Sequence, residues 1–459
     1  MGVFMKKFFL ILSVIIFSMF LYGCSTKNNK NDINIGNTDI QHDDKKENDN
    51  AIAVWEDKNF EALIRFYLNN FDEDIYSKDL DNITELSISS NLNVKTNIKE
   101  CEIPIEYQDK IDLITSMKDI DNFNNLNKIS ITANKIKNIH PYKNSSNISL
   151  LDLSLNEFRN LSGIENYSNL TNLDISGNYI EDIKPINNLP KLKVLNLSNI
   201  GLPANNIFLS DISNIDINTI STLKDLETLI INYSNVSNIS TLNKFNNLKF
   251  LALYMCNLNV DELYLITENN KNKIEKLYLD ISSASGEPVV LDMSKFKNLN
   301  NLRELCILRN FTNINCLNNL NSLKIEYSFI GKNESFSNLK NLKSLKIWNS
   351  QLEDIKVLED LSSLEEAYFR ETDIPNLKYL KNNKNLKSIW IASGNLNDIS
   401  DLKEFSNVET VLFPVNNITD ISSLSLLHNL KRINLDGNPI KDYTVIDNLK
   451  NKENIEITK

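Results

Sequence analysis

Apolar residues recur along most of this chain at offsets that repeat every 22 residues. In the unit from Leu170 to Pro190 the apolar positions are Leu170, Leu173, Ile175, Ile180, Ile183, Ile186 and Leu189. Spacings of 22 separate the unit starts Leu126, Ile148, Leu170 and Leu192, the pair Leu226 and Leu248, and the series Leu320, Leu342, Leu364, Leu386, Val408 and Leu430. Such a period predicts one small structural unit repeated many times.

Each unit contains two different hydrophobic patterns. Leu173 and Ile175 alternate with polar neighbours, which is typical of a short strand with one buried face. Ile180, Ile183 and Ile186 step by three, which indicates a 3₁₀ or extended return. One unit has too little core to fold alone, so stacked units must pair their strands. We therefore predict an α/β leucine-rich-repeat solenoid, with a curved parallel sheet on its concave face and short 3₁₀ or extended returns on its convex face.

A polar or thiol residue stands eight positions after most unit starts. An inward amide there can both donate to and accept from backbone groups that the turn leaves unpaired. We interpret this series as a structural ladder formed by Asn91, Asn134, Asn156, Asn178, Asn310, Asn416 and Asn438, with Ser234, Cys256, Ser282, Ser328, Ser350 and Thr372 in the middle of the chain.

The unit endings carry a family resemblance. Residues Glu181 to Ile186 (EDIKPI) and Thr419 to Leu424 (TDISSL) resemble the internalin-type leucine-rich repeats of Gram-positive bacteria. The segment from Trp55 to Ile88 is similar to the helical cap of that family. The resemblance implies a cap over residues 53–82, repeats over residues 83–459 and, loosely, a recognition surface.

The N-terminus predicts export. Lys6 and Lys7 precede an apolar run from Phe8 to Phe20, and Gly23 stands before Cys24. This pattern is typical of a secretory signal, and the run is short for a membrane span. It resembles a bacterial lipoprotein signal, which implies a signal peptide over residues 1–23, lipidation of Cys24 and an extracytoplasmic, lipid-anchored chain. Residues 24–52 are polar and predict a disordered tether; either Met1 or Met5 could be the start.

Composition excludes several classes of function. Asp and Glu number 60 against 49 Lys and Arg, for a net charge of −11, which disfavours a nucleic-acid partner. The three histidines are too far apart in sequence to act together, so we predict no enzyme, no metal site and no cofactor. Asp152 and Asp174 stand at equivalent positions on neighbouring strands, and we interpret them as part of a solvated face. The four cysteines after Cys24 are expected to be mostly unpaired, with a Cys306–Cys316 pair left open.

The period is broken in the middle of the chain. Extra residues lie near 199–223 and near 282–290, and a helix is predicted from Asp261 to Glu268. Insertions in solenoids map to loops and sometimes bind ligands, although neutral insertions are commoner.

Side chains two, four and six positions after each unit start should face the concave surface. Early units carry small polar residues there, whereas four late units carry larger ones, which we predict to form one ligand-binding patch: Trp348, Tyr368, Arg370, Trp390 and Leu412. Phe250, Tyr254 and Tyr278 form a second, looser group. Exposed aromatic and Arg clusters are typical of binding hot spots. The sequence thus favours a recognition module for a host or self protein or peptide; the alternative is a structural envelope protein that binds cell-wall glycan.

Overall fold

The computed structural model describes residues 51–201, 214–269, 273–283, 285–450 and 455–458 of the 459-residue chain. The predicted signal peptide, Cys24 and most of the predicted tether lie outside the described residues. So do residues 202–213, which form much of the first predicted insertion. Within the described ranges, no helix combines the length and apolarity that crossing a bilayer requires.

Helices are short and strands are numerous. The α-helices are α1 (Lys58–Leu68), α2 (Ser77–Leu80), α3 (Ile105–Gln108), α4 (Val260–Asn269) and α5 (Thr444–Lys450). The strands are β1 (Glu85–Ser89), β2 (Asn93–Thr96), β3 (Glu100–Glu102), β4 (Lys128–Thr132), β5 (Leu150–Asp152), β6 (Asn172–Asp174), β7 (Val194–Asn196), β8 (Asn214–Asp216), β9 (Thr228–Asn232), β10 (Asn235–Ser237), β11 (Phe250–Leu258), β12 (Lys276–Ser282), β13 (Leu291–Asp292), β14 (Glu304–Leu308), β15 (Phe311–Thr312), β16 (Ser322–Glu326), β17 (Phe329–Ile330), β18 (Ser344–Trp348), β19 (Gln351–Leu352), β20 (Glu366–Arg370), β21 (Ser388–Ala392), β22 (Thr410–Leu412), β23 (Arg432–Asn434) and β24 (Glu456–Thr458).

The returns between strands contain short 3₁₀ helices, as the steps of three predict. They are Lys118–Asn122, Ser145–Asn147, Ile164–Asn166, Lys184–Asn188, Ile217–Ile220, Ile239–Lys244, Met293–Phe296, Ile314–Cys316, Ile355–Asp360, Lys378–Leu380, Ser400–Glu404 and Ser422–Leu426.

One long parallel sheet unites the repeats. In its C-terminal part each strand pairs with a strand 22 residues further on, from Ser322↔Ser344 through Ser388↔Thr410 to Thr410↔Arg432. The inward positions of these strands are fully buried, as at Leu345 and Ile347. Stacked units therefore share one continuous apolar column, which confirms the predicted solenoid.

The N-terminal edge of this column is covered by a helical cap. In α1, the apolar side chains Phe60, Leu63, Ile64 and Tyr67 are buried. Asp57 caps α1 by accepting a hydrogen bond from the backbone of Asn59 at 2.9 Å. Its second carboxylate oxygen accepts from the backbone N–H of Thr115 at 2.7 Å, which ties the cap to the first return. The strands β2 and β3 then add an antiparallel meander beside β1.

The predicted polar ladder is confirmed at most positions. Asn178 is completely buried, donates to the carbonyls of Leu153 and Ile175 at 2.9 Å and accepts from the N–H of Phe158 at 3.2 Å. The residues Asn134, Asn156, Asn416, Asn438, Ser234, Cys256, Ser328, Ser350 and Thr372 make related bonds to nearby backbone.

The ladder prediction is wrong at three positions. Asn91 is exposed because β1 there turns back into the antiparallel β2. Asn310 is exposed and accepts a hydrogen bond from the backbone N–H of Phe329. Ser282 is displaced because a register shift places Ile281, not Ser282, beside Cys256.

The middle of the chain departs from the regular unit. Helix α4 is present and extends one residue beyond the predicted helix at each end. In the second insertion, Ser282 bridges to Pro288 in antiparallel fashion, and Gly286 has a φ of +85° in the turn. The cysteines Cys101, Cys256, Cys306 and Cys316 form no disulfide, which confirms that they are unpaired.

We predict that Asn178→Ala lowers the free energy of unfolding by about 2–5 kcal/mol, because it leaves several buried backbone groups without partners. The matched control, Asn310→Ala, removes an exposed amide at the same place in another unit and should cost about 1 kcal/mol or less. Urea unfolding followed by circular dichroism measures both values. Equal losses in the two variants would show that burial of the amide does not matter.

Candidate functional site

The concave face of the C-terminal repeats carries a cluster of large side chains. Lys346, Tyr368, Trp390 and Leu412 stand in one row across β18, β20, β21 and β22, because each is paired in register with the next. Trp348 projects from the end of β18, one strand away from Arg370. We call Trp348, Tyr368, Trp390 and Leu412 the aromatic patch; the structure brings these four predicted residues together.

The rings of the aromatic patch meet edge to face. Trp348 and Trp390 have ring centroids 6.1 Å apart with planes at 75°, and Tyr368 and Trp390 are also 6.1 Å apart, at 67°. Such pairs are favourable because the positive edge of one ring meets the negative face of the other. The rings border an open recess of about 590 Å³, lined by Lys346, Trp348, Tyr368, Lys387, Ser388, Trp390, Glu409, Thr410, Leu412 and Arg432.

Arg370 lies outside this recess. Its guanidinium is about half exposed and its Nε lies 3.4 Å from a carboxylate oxygen of Glu371. Arg370 therefore lies next to Trp348 of the aromatic patch but does not line the recess.

Two lysines outside the predicted ligand-binding set place their ammonium groups over ring faces of the aromatic patch. The ammonium of Lys324 lies 4.1 Å from the centroid of the Trp348 ring. The ammonium of Lys346 lies 5.2 Å from the centroid of the Tyr368 ring. Both stand four positions after a unit start, so the same concave-face rule could have found them. Cation–π attraction holds such groups near the ring faces.

One polar atom of the patch has no internal partner. The indole Nε1 of Trp348 is buried and makes no hydrogen bond within the described part of the chain. A buried donor without an acceptor costs about 1–3 kcal/mol. A ligand oxygen that reached this nitrogen would relieve that cost.

A row of alternating charges runs along the edge of the sheet beside the recess. The carboxylate of Glu365 bridges Lys343 and Lys387 at 3.0 and 2.7 Å. The carboxylate of Glu409 lies 2.8 Å from Lys431. Hydrogen bonds from Lys387 and Lys343, together with attraction to their charges, hold the pKa of Glu365 below its usual range. The row is exposed, so each pair stabilises the fold only slightly.

The second predicted group separates into two pairs. Phe250 and Tyr278 meet edge to face at 5.0 Å, whereas Tyr254 packs against Tyr233 at 5.7 Å. The Tyr278 hydroxyl donates to the carboxylate of Glu304. Burial raises the pKa of Tyr278 and of Tyr254. These rings pack against neighbours on the sheet, and none of them lines the recess of the aromatic patch.

Near the N-terminal end, Asp152 and Asp174 pair directly across β5 and β6. Asp174 is only 5% exposed, so its assignment to a solvated face is wrong; β7 covers it, and Asn196 donates to it at 2.9 Å. Ser176 donates to the same carboxylate through its backbone and hydroxyl, and Ser130 donates to Asp152 at 3.3 Å. Burial, followed by the charge of Asp152, raises the pKa of Asp174 to about 7, and burial also raises that of Asp152.

No cluster of three or more His, Cys, Asp or Glu side chains is arranged to hold a metal ion in the ranges that the structure describes.

We predict that Asp174→Asn flattens the pH dependence of stability between about pH 4 and pH 7. With its pKa raised, the native carboxyl keeps a proton that the unfolded chain releases, so the unfolding free energy of the parent falls as pH rises through this window. The variant should gain about 2–4 kcal/mol relative to the parent from pH 4 to pH 7. Urea midpoints at four pH values measure this, with Asp225→Asn as an exposed control. Parallel curves for parent and Asp174→Asn would contradict the assignment.

Comparison with known proteins identifies the type of fold. No protein-family model matches the chain, and no curated protein matches it in sequence. Among solved structures, it is similar to an internalin (InlF) of Listeria monocytogenes, with 22% identity over 82% of this chain and 94% of that chain, and a TM-score of 0.49.

Two further solved structures are similar. A leucine-rich-repeat protein of Leptospira interrogans is 20% identical over 75% of this chain and 93% of that chain, with a TM-score of 0.49. The structure of a TLR13–ssRNA13 complex is 19% identical over 75% of this chain and 57% of that chain, with a TM-score of 0.52. Similarity at these identities concerns the fold alone, and together with the parallel sheet it shows that this chain is a leucine-rich-repeat solenoid.

Proposed function

We propose that this chain is a recognition protein that binds a protein or peptide through the concave face of its C-terminal repeats. The observation that carries the proposal is the aromatic patch, where two Trp, a Tyr and a Leu from four neighbouring strands border one recess. Rigid aromatic side chains bury large areas at low entropic cost, so they dominate the energetics of protein interfaces.

The ring geometry supports a peptide more than the alternative ligand, a cell-wall glycan. A sugar ring needs an open aromatic face on which to stack. Lysine ammonium groups occupy faces of Trp348 and Tyr368, and both of these rings meet Trp390 edge to face. The recess between them suits an inserted side chain.

The similar TLR13 structure contains ssRNA, so RNA is a further possibility for the fold. The net charge of −11 argues against it here, because it repels a long polyanion whose phosphates extend beyond the recess.

We further propose that the chain works outside the cytoplasmic membrane of a Gram-positive bacterium, held there by a lipid on Cys24. The support is the sequence of the first 24 residues, with its basic head, apolar run and Gly23–Cys24 junction. The polar segment after Cys24 would let the repeats reach a ligand away from the lipid surface.

We predict that Trp348→Ala/Trp390→Ala abolishes most ligand retention. In pull-downs from purified cell wall and from host-surface extracts, the parent should retain a protein at least tenfold better than the variant, because the edge-to-face contacts and the recess are both lost. The matched control is Tyr327→Ala/Phe329→Ala, two exposed rings outside the recess, 61% and 45% exposed. Equal retention by the parent and the Trp variant would exclude the aromatic patch as the site.

We also predict that Cys24→Ala releases the chain from the membrane. Radiolabelled palmitate should enter the parent and not the variant, and fractionation should move the variant to the soluble or secreted fraction. A Ser25→Ala variant is the control and should stay on the membrane. Membrane retention of Cys24→Ala would contradict anchoring through that residue.

A further inference from the structure

We infer that the recess binds an acidic peptide segment, with a ligand carboxylate on Lys346 and a neighbouring apolar side chain against Trp390 and Leu412. This inference rests on the proposed function and specifies its ligand chemistry. It follows from how the cations around the aromatic patch are paired.

Lys346 is a half-buried cation with no carboxylate partner in the described part of the chain. It lies in the middle of β18, where register pairs it with Lys324 on one side and Tyr368 on the other. Its ammonium is held 5.2 Å from the Tyr368 centroid, and no ion pair to it occurs within the described ranges. A fixed ammonium beside an apolar surface is a ready partner for a carboxylate.

The cations around Lys346 are already neutralised. Lys324 pairs with Glu326, and Lys387 pairs with Glu365 at 2.7 Å. Arg432 lies 3.2 Å from Glu456. These contacts leave Lys346 as the lining cation that gains most from an external anion.

The charge that lines the recess is opposite to that of the whole chain. Lys346, Lys387, Arg432 and Glu409 are the charged residues that line it. Lys387, Arg432 and Glu409 are each ion-paired, so Lys346 supplies the net positive charge of the recess. The chain as a whole carries −11. At physiological salt, charges are screened over about 8 Å, so a bound ligand responds to the local cations more than to the distant acidic residues.

The size of the patch fits a short extended segment. Four strands at a spacing of about 4.8 Å span about 14 Å, which an extended peptide crosses in about four residues. A carboxylate at one end of that span would lie near Lys346, while an apolar side chain reaches Trp390 and Leu412. The Nε1 of Trp348, which has no hydrogen-bond partner among the described residues, is a donor that a ligand oxygen could use.

The way the cations around the recess are ion-paired favours an acidic peptide over a nucleic acid. A phosphate backbone carries one charge on each nucleotide and needs several available cations in a line. The recess offers one cation without a carboxylate partner and a row that alternates with Glu365 and Glu409. One or two carboxylates match this arrangement better.

Tryptophan fluorescence tests the inference directly, because two of the three tryptophans lie in the patch and the third, Trp55, packs on Phe60 in the cap. The full chain, purified in mild detergent, is titrated with a peptide of alternating Asp and Phe, and with matched peptides carrying Lys or Asn in place of Asp. We expect the Asp peptide to bind at least tenfold more tightly than either matched peptide. Its affinity should fall as the salt concentration rises.

Variants that change the charge of Lys346 test whether this residue contacts the ligand carboxylate. Lys346→Glu should lower the affinity for the Asp peptide at least tenfold, and Lys346→Gln should lower it by an intermediate factor. Lys381→Glu makes the same charge change at an exposed lysine on the return side and should alter binding less than twofold. Unchanged thermal unfolding of all three variants would show that the fold is intact.

The outcomes separate the two proposals. Equal affinity for Asp and Lys peptides, or no loss in Lys346→Glu, would overturn the acidic ligand while leaving a peptide site in place. Tighter binding of oligouridylate or of N-acetylglucosamine oligomers would overturn the peptide class. Absence of a fluorescence change with every peptide would overturn the inference, whereas the proposed function stands or falls with retention by the Trp348→Ala/Trp390→Ala variant.

Discussion

The fold depends on satisfying the backbone at the turn that ends each sheet strand. Parallel pairing in register makes nearly every unit turn at the same place, and the seventh residue after the unit start takes a left-handed conformation whatever its side chain. Examples are Leu155, Tyr233, Tyr327, Glu371 and Val415, with φ between +48° and +58°. Such conformations cost on the order of 1 kcal/mol or more for residues other than glycine. They persist because the next residue anchors the turn.

That anchor is one donor aimed at a fixed carbonyl in the preceding unit. The acceptor lies 25 residues upstream whether the donor is the Asn178 amide, the Cys256 thiol or the Thr372 hydroxyl. Asparagine also accepts a bond, from a backbone N–H 20 residues upstream in the preceding unit, as Asn178 does from Phe158. The units of Cys256 and Thr372 therefore keep the donated bond to the preceding unit. The hydroxyls of Ser350 and Thr372 accept from backbone N–H groups 22 residues upstream, at Ser328 and Ser350. The middle of the chain holds the long and short units, where the register shifts.

The period of the sequence predicts the strands and the concave rows, because hydrophobic spacing alone determines them, whereas the cap is implied by the family resemblance. It fails at Asn91 and Ser282, where an antiparallel turn and a register shift replace the regular neighbour. It also fails for Asp174, since burial on a concave face depends on which side chains the adjacent strands present. The predicted aromatic residues share a recess. Spacing also places Lys346 on the concave face, but its lack of a carboxylate partner and its position over Tyr368 follow only from side-chain contacts. Spacing cannot supply pairings between side chains.

The two halves of the concave face differ in how much charge they offer a ligand. On β5 and β6, burial favours protonation of Asp152 and Asp174, so this area is less negative than its composition suggests. On β18 to β22, the strands hold the rings and Lys346 in fixed places before any ligand arrives. Binding there would order the ligand more than the protein, which lowers the entropic cost of association. In a solenoid of this kind, the residues that bind the ligand can thus lie on only four strands. The other repeats then determine the shape of the surface around those strands.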